Sequence, residues 1–94
     1  VLGDMLELGS EEGRYHEEIL LHARSLDLDA IVLTGARFGN LKDLGPRCFW
    51  FSEPDGAAEY LLSYLQSGDQ VLFKGSRGSR VERILQTVQA AHIN

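Results

Sequence analysis

A chain of 94 residues with 44% hydrophobic and 24% charged content has the size of one soluble globular domain and is too short for two. Its net charge of -5 argues against a nucleic-acid binder that works by neutralising phosphates over a broad surface. Cys48 is the single cysteine, and no apolar run approaches the roughly 20 residues that cross a bilayer. We also expect no signal peptide. We expect a cytoplasmic protein with no membrane span.

Three apolar stretches predict strands. Residues 30–35 are apolar and β-branched and end in glycine, and residues 48–51 are short and aromatic. Residues 71–73 form a continuous apolar run, as expected of a strand covered on both faces. Residues 1–3 have the character of the last part of a further strand, so we expect a sheet that is truncated at its amino-terminal edge. Trp50 and the phenylalanines are core candidates.

Three helices are predicted around these strands. The first has Ser10 as its N-cap and ends near Asp27, the second begins at Pro54, and the third opens with a capping box at Ser79. Their apolar positions recur at helical spacing: Tyr15, Ile19, Ala23 and Leu26; Ala58, Leu61, Leu62 and Leu65; Val81, Ile84, Leu85 and Val88. Residues 37–45 are ambiguous. The alternation predicts an α/β, Rossmann-like, mostly parallel sheet with helices on both faces.

Residues 74–80, the basic loop, lie between the end of a predicted strand and the start of a helix. The loop could offer backbone amides and the cations Lys74, Arg77 and Arg80 to a single anion. Gly75 permits a positive φ or the close approach of a ligand backbone. Neither the Walker A motif nor the dinucleotide fingerprint is complete. Two interpretations therefore stay open, an anion site and a basic turn with its charges in water.

Residues 4–9, the acidic loop, should leave the sheet at the same carboxyl edge. Asp4 and Glu7 could hold a substrate ammonium, orient the basic loop or cap a helix. The first predicted helix carries His16 and His22, but the six-residue gap places the rings on different faces, so no metal site is predicted. We expect His16 to pack against the acidic loop or to position it.

Both ends of the chain resemble the C-terminal domain of the Mur ligases, and the resemblance extends over essentially the whole chain. The motifs that carry it are Gly3-Asp4-Met5-Leu6-Glu7-Leu8-Gly9, His16, Val71-Leu72-Phe73-Lys74-Gly75-Ser76-Arg77 and Val81-Glu82. Lys74-Gly75-Ser76-Arg77 favours the dipeptide-adding branch of the family. Val81 stands where the family commonly has methionine, a conservative apolar difference.

The resemblance implies that residues 1–94 are the C-terminal domain of a three-domain, ATP-dependent ligase of peptidoglycan synthesis. In such an enzyme ATP phosphorylates the carboxylate of a UDP-N-acetylmuramoyl-tripeptide, and the amine of D-Ala-D-Ala attacks the acyl phosphate. ATP and Mg²⁺ are expected mainly on the central domain. The fragment is then expected to hold no catalytic residue and no cofactor, and to be inactive alone.

The resemblance also implies a substrate-binding set. Its members are Asp4, Met5, Glu7, His16, Lys74, Gly75, Ser76 and Arg77. On domain closure the basic loop would bind the dipeptide carboxylate or phosphate oxygens, while Asp4 and Glu7 orient that loop or the attacking ammonium. Two alternatives remain: the same domain in a sister Mur or folylpolyglutamate-type ligase, and a free-standing, non-catalytic module that binds a small anion or a protein.

Overall fold

The computed structural model describes residues 1–92, without the side chains of Arg77 and His92. The elements in chain order are β1 (Leu2–Gly3), α1 (Glu12–Ser25), β2 (Ile31–Thr34), α2 (Ala36–Gly39), β3 (Cys48–Phe51), α3 (Pro54–Tyr64) and α4 (Val81–His92). Two 3₁₀ turns, Gly9–Glu11 and Arg77–Ser79, precede α1 and α4. The predicted helices and the strands at β2 and β3 are therefore present, and the ambiguous stretch contains the single turn α2.

The sheet is parallel, and its strands neighbour one another in the order β1, β2, β3. Residues 71–74 run along the other side of β1, where Lys74 bridges Leu2 in parallel register. The Lys74 N–H donates to the Val1 carbonyl at 2.9 Å, and the Gly3 N–H donates to the Lys74 carbonyl at 2.8 Å. The carboxyl ends of β1 and of this segment are therefore adjacent.

Helices cover both faces of the sheet, which confirms the predicted α/β class. Successive residues of β2 point to opposite faces, so the strand contributes to two separate cores. The core under α1 and α2 contains Leu20, Ala23, Ile31, Leu33 and Phe38. The core under α3 and α4 contains Val32, Ala57, Ala58, Leu61, Ile84 and Val88.

The prediction that residues 71–73 form a strand buried on both faces is wrong. The segment joins the sheet through one bridge, and Leu72 is 74% exposed. Phe73 packs against the core under α3 and α4, whereas Leu72 lines an open groove of about 610 Å³ between the ends of α1 and α3.

The buried face of α1 agrees with its prediction in part. Ala23 is buried and Ile19 packs half-buried against the core, whereas Tyr15 and Leu26 are exposed. The other buried residues are His16 and Leu20, and the apolar pattern missed the first of them because it is a histidine. In α3 the predicted stripe is also narrower than expected, since Leu62 is exposed.

Trp50 is not a core residue, contrary to the prediction. β3 neighbours only β2 among the described strands, so Trp50 and Phe49 are 40% and 39% exposed at the sheet edge. The Trp50 indole N–H donates to the Gly35 carbonyl at 2.7 Å, and Phe49 stacks on Tyr60 with ring centroids 4.9 Å apart. Phe38, by contrast, is buried as predicted.

Two predicted helix caps are absent. Ser10 lies inside the 3₁₀ turn before α1, whereas the end of α1 at Ser25 is within two residues of the predicted Asp27. Ser79 donates its hydroxyl to the Ser76 carbonyl at 2.5 Å, and α4 begins only after Arg80, which has a φ of 63°. The start of α3 at Pro54 is as predicted.

Candidate functional site

The acidic and basic loops meet at the carboxyl edge of the sheet, where Ser76 joins them. The Leu6 N–H donates to Ser76 Oγ at 2.9 Å. The Ser76 N–H donates to the Asp4 carbonyl at 3.2 Å. The two loops, about 70 residues apart in the chain, therefore form one continuous rim.

Asp4 holds the first turn of α2 through its carboxylate. It is 5% exposed; Oδ2 accepts the Arg37 N–H at 3.1 Å, and Oδ1 accepts the Phe38 N–H at 3.3 Å. Capping was the simplest prediction for this acid, but the helix that it caps is α2 and not the helix that follows it. Asp4 presents little surface to a ligand, so its contribution to a site is to fix the start of the acidic loop.

Arg37 connects Asp4 with the start of α1. Its Nη1 lies 3.4 Å from Asp4 Oδ2, and its Nε donates to Glu12 Oε2 at 2.9 Å. The hydrogen bond to Glu12, followed by the bond to Asp4, raises the pKa of Arg37 further above its ordinary value. The sequence analysis did not identify Arg37 or Glu12, because Arg37 lies 33 residues from Asp4 and 25 residues from Glu12 in the chain.

His16 is fully buried beneath the acidic loop. Its Nε2 lies 3.0 Å from the Met5 N–H, and its Nδ1 lies 2.6 Å from the Glu12 carbonyl. The ring also packs edge-on against Phe38, with centroids 4.7 Å apart. The contact with the Met5 N–H supports the expectation that His16 positions the acidic loop. Because the ring is fully buried, it is not placed to contact a ligand directly.

Exposed groups of the rim are those that a ligand could reach. Glu7 stands at the tip of the acidic loop with a φ of 63°, in the left-handed region that disfavours non-glycine residues. Lys74 and Gly75 are exposed, and Met5 and Ser76 are half-buried. The Ser76 hydroxyl accepts the Leu6 N–H and keeps its own proton for a second partner. An acid and a base at one rim suit a ligand that carries both an ammonium and an anionic group.

Gly75 serves a packing purpose and does not adopt the positive φ that was one of its two predicted roles. A Cβ at Gly75 would lie 2.7 Å from Ser79 Oγ and 3.1 Å from the Gly3 Cα, and a Cβ at Gly3 would overlap Val81 Cγ2. The two glycines therefore let the start of α4 approach β1 closely. Gly75 does not have a positive φ, so its backbone conformation does not by itself require glycine.

The remaining cations of the basic loop differ in their surroundings. Arg80 pairs with Glu53 at 2.7 Å, in an exposed bridge directed toward the start of α3. The predicted role of Arg77 rests on a side chain outside the described structure. Lys74 lines the groove beside Leu72 as well as the rim.

Metal binding and thiol chemistry find no support in the described residues. Among residues 1–92, no three His, Cys, Asp or Glu side chains come together so as to hold a metal ion. Burial raises the pKa of the Cys48 thiol, which disfavours the thiolate that a nucleophile needs. In the same part of the chain, no helix combines the length and the apolar character required to cross a membrane.

Fold and site together define a class: a parallel α/β domain whose carboxyl edge joins an acidic loop to a Lys-Gly-Ser-Arg loop. The family described as Mur ligase, glutamate ligase domain, matches residues 1–77. The chain belongs to this family.

Similar proteins are UDP-N-acetylmuramoyl-tripeptide--D-alanyl-D-alanine ligases. The chain is 36% identical to the one from Borreliella burgdorferi over 89 residues, which is 90% of this chain and 19% of that protein. It is 33% identical to the one from Bacillus subtilis over 95 residues, covering 92% and 20%. The chain thus spans about a fifth of the length of the curated relatives it matches.

A solved structure shares the fold. The crystal structure of MurF ligase from Thermotoga maritima in complex with ADP superposes with a TM-score of 0.75 at 29% identity. The match covers 95% of this chain and 21% of that one. The likeness therefore includes nearly all of this domain and a minor part of the solved ligase.

Proposed function

We propose that residues 1–94 form the dipeptide-binding C-terminal domain of a three-domain ligase that joins D-Ala-D-Ala to a UDP-N-acetylmuramoyl-tripeptide in peptidoglycan synthesis. The observation that carries the proposal is the joining of the two loops by Ser76. The relatives in three bacteria, all named for this ligation, support the choice of substrate. The consumption of ATP and the free thiol of Cys48 favour the cytoplasm.

In the proposed reaction, ATP converts the tripeptide carboxylate into an acyl phosphate. The dipeptide amine then forms the new C–N bond as the C–O bond to phosphate breaks. The solved relative was crystallised with ADP, which supports the use of ATP. As the resemblance to the Mur ligases implies, we place Mg²⁺ and most of the nucleotide contacts on the other domains, and we derive no step of this domain through the metal. This domain alone is then inactive.

The roles proposed for Glu7 and Lys74 rest on their exposure. Glu7 is placed to attract the dipeptide ammonium, and Lys74, with Ser76 and Arg77, binds its carboxylate or phosphate oxygens. Gly75 permits the close packing beneath them. Asp4 and His16, whose side chains are buried, hold the acidic loop from below through hydrogen bonds, His16 at the Met5 N–H.

Substituting Lys74→Met in the full-length ligase is expected to raise the KM for D-Ala-D-Ala about tenfold or more, since a charge-assisted hydrogen bond contributes about 1.5–3 kcal/mol. Methionine keeps most of the aliphatic length and removes the charge. The matched control is Lys42→Met, which removes the chain's other lysine from an exposed connection between α2 and β3. Steady-state kinetics with the dipeptide varied provide the measurement.

An unchanged dipeptide KM in Lys74→Met would remove the lysine from the site. Equal effects of Lys74→Met and Lys42→Met would indicate a general charge effect rather than binding at the rim. A parent enzyme that prefers single amino acids to the dipeptide would favour a sister ligase, the alternative considered from the sequence.

A further inference from the structure

The partners of His16 determine which of its nitrogens carries a proton. The Glu12 carbonyl oxygen, 2.6 Å from Nδ1, can only accept a hydrogen bond, so Nδ1 must donate. The Met5 N–H, 3.0 Å from Nε2, can only donate, so Nε2 must accept. Both bonds form at once only in the neutral ring with its proton on Nδ1.

The surroundings of the ring offer no replacement for the bond to Met5. The ring is fully buried, and the edge of Phe38 packs against it. The charged side chains beside its two backbone partners are those of Asp4 and Glu12, and both bind Arg37. Of the two carboxylates, Asp4 also caps α2. A second proton on the ring would therefore set two donors, Nε2–H and the Met5 N–H, against each other.

The Met5 amide lies between the buried Asp4 and the exposed Glu7. Asp4 fixes the loop where it leaves β1, and Ser76 holds the Leu6 amide. The bond from Met5 to His16 is the contact that ties the same stretch to α1. Losing it frees the backbone that carries Glu7, whose φ of 63° requires support from its neighbours.

We propose that His16 is a positioning residue whose neutral, Nδ1-protonated ring holds the acidic loop in its substrate-binding form. The proposal rests on the proposed function, because it assigns the dipeptide to this loop.

The experiment compares His16→Gln and His16→Ala with the wild type in the full-length ligase, with His22→Gln as the matched control. Glutamine can accept the Met5 N–H whereas alanine cannot, and His22 is exposed on the same helix. We expect the KM for D-Ala-D-Ala to rise about five- to tenfold in His16→Ala and to stay near the wild-type value in His16→Gln. His22→Gln should follow the wild type.

Equal rises of the KM in His16→Gln and His16→Ala would overturn the proposal. Hydrogen exchange in the full-length ligase separates this failure from failure of the proposed function. Protection of residues 4–9 should fall in His16→Ala and not in His16→Gln, whether or not the dipeptide binds there.

The ring itself provides a test that needs no variant. In the wild-type ligase labelled with ¹⁵N-histidine, the ring nitrogen shifts of His16 at neutral pH should report Nδ1–H and an unprotonated Nε2. A ring protonated on Nε2 would contradict the proposal.

Discussion

Asp4→Ala is expected to destabilise the 94-residue chain by about 3 kcal/mol, the largest effect of a single polar substitution in this domain. The change removes the acceptor of two backbone N–H groups at the start of α2 and leaves Arg37 with Glu12 as its remaining carboxylate partner. The value lies at the low end for a broken buried ion pair because the Arg37 side chain is 35% exposed. Equilibrium urea unfolding measures it.

The control for Asp4→Ala is Asp43→Ala, which removes an exposed acid from the connection between α2 and β3 and should change stability by no more than about 0.5 kcal/mol. Asp4→Asn keeps one acceptor oxygen and should lie between the two. A loss below about 1 kcal/mol in Asp4→Ala would mean that Asp4 does not hold α2.

Gly35→Ala is expected to destabilise the domain by about 3 kcal/mol, from overpacking and backbone strain together. The Cβ would overlap the Asp4 carboxylate, and Gly35 has a φ of 110°, where alanine is strained. Because Asp4 must move to admit the methyl group, the acidic loop should lose its anchor as well. Urea unfolding again provides the measurement.

Gly13→Ala is the matched control, and its effect should have the opposite sign. Gly13 lies in α1, and a Cβ in ideal geometry there would have no atom within 4 Å beyond its chain neighbours and the backbone of its own helix. Alanine should therefore stabilise the helix by about 0.5–1 kcal/mol. A small or stabilising effect of Gly35→Ala would show that the carboxylate of Asp4 is not confined as described.

The sequence pattern within short segments was sufficient to predict β2 and α4. β2 is apolar and β-branched because both of its faces meet a core, and α4 repeats apolar residues because one side of it packs on the sheet. The meeting of the two loops was also predictable, since parallel strands end at a common edge. These features follow from composition along short stretches of chain.

Features that depend on neighbours distant in sequence were not predictable in the same way. Leu72 and Trp50 were expected in the core, but their exposure depends on where each stretch lies in the sheet. His16 occupies a buried position because two backbone groups satisfy its ring, a match that apolar spacing does not reveal. Asp4 caps α2 across 33 residues, so no adjacent motif indicates the contact.

Hydrogen exchange of the full-length ligase with and without saturating D-Ala-D-Ala tests most directly whether the joined loops bind the dipeptide. We expect added protection in residues 4–9 and residues 74–79 together, because Ser76 connects them. Residues 41–45, on the connection before β3, should be unaffected and serve as the internal control. Protection in neither loop, under conditions where turnover shows the dipeptide to be bound, would contradict the account.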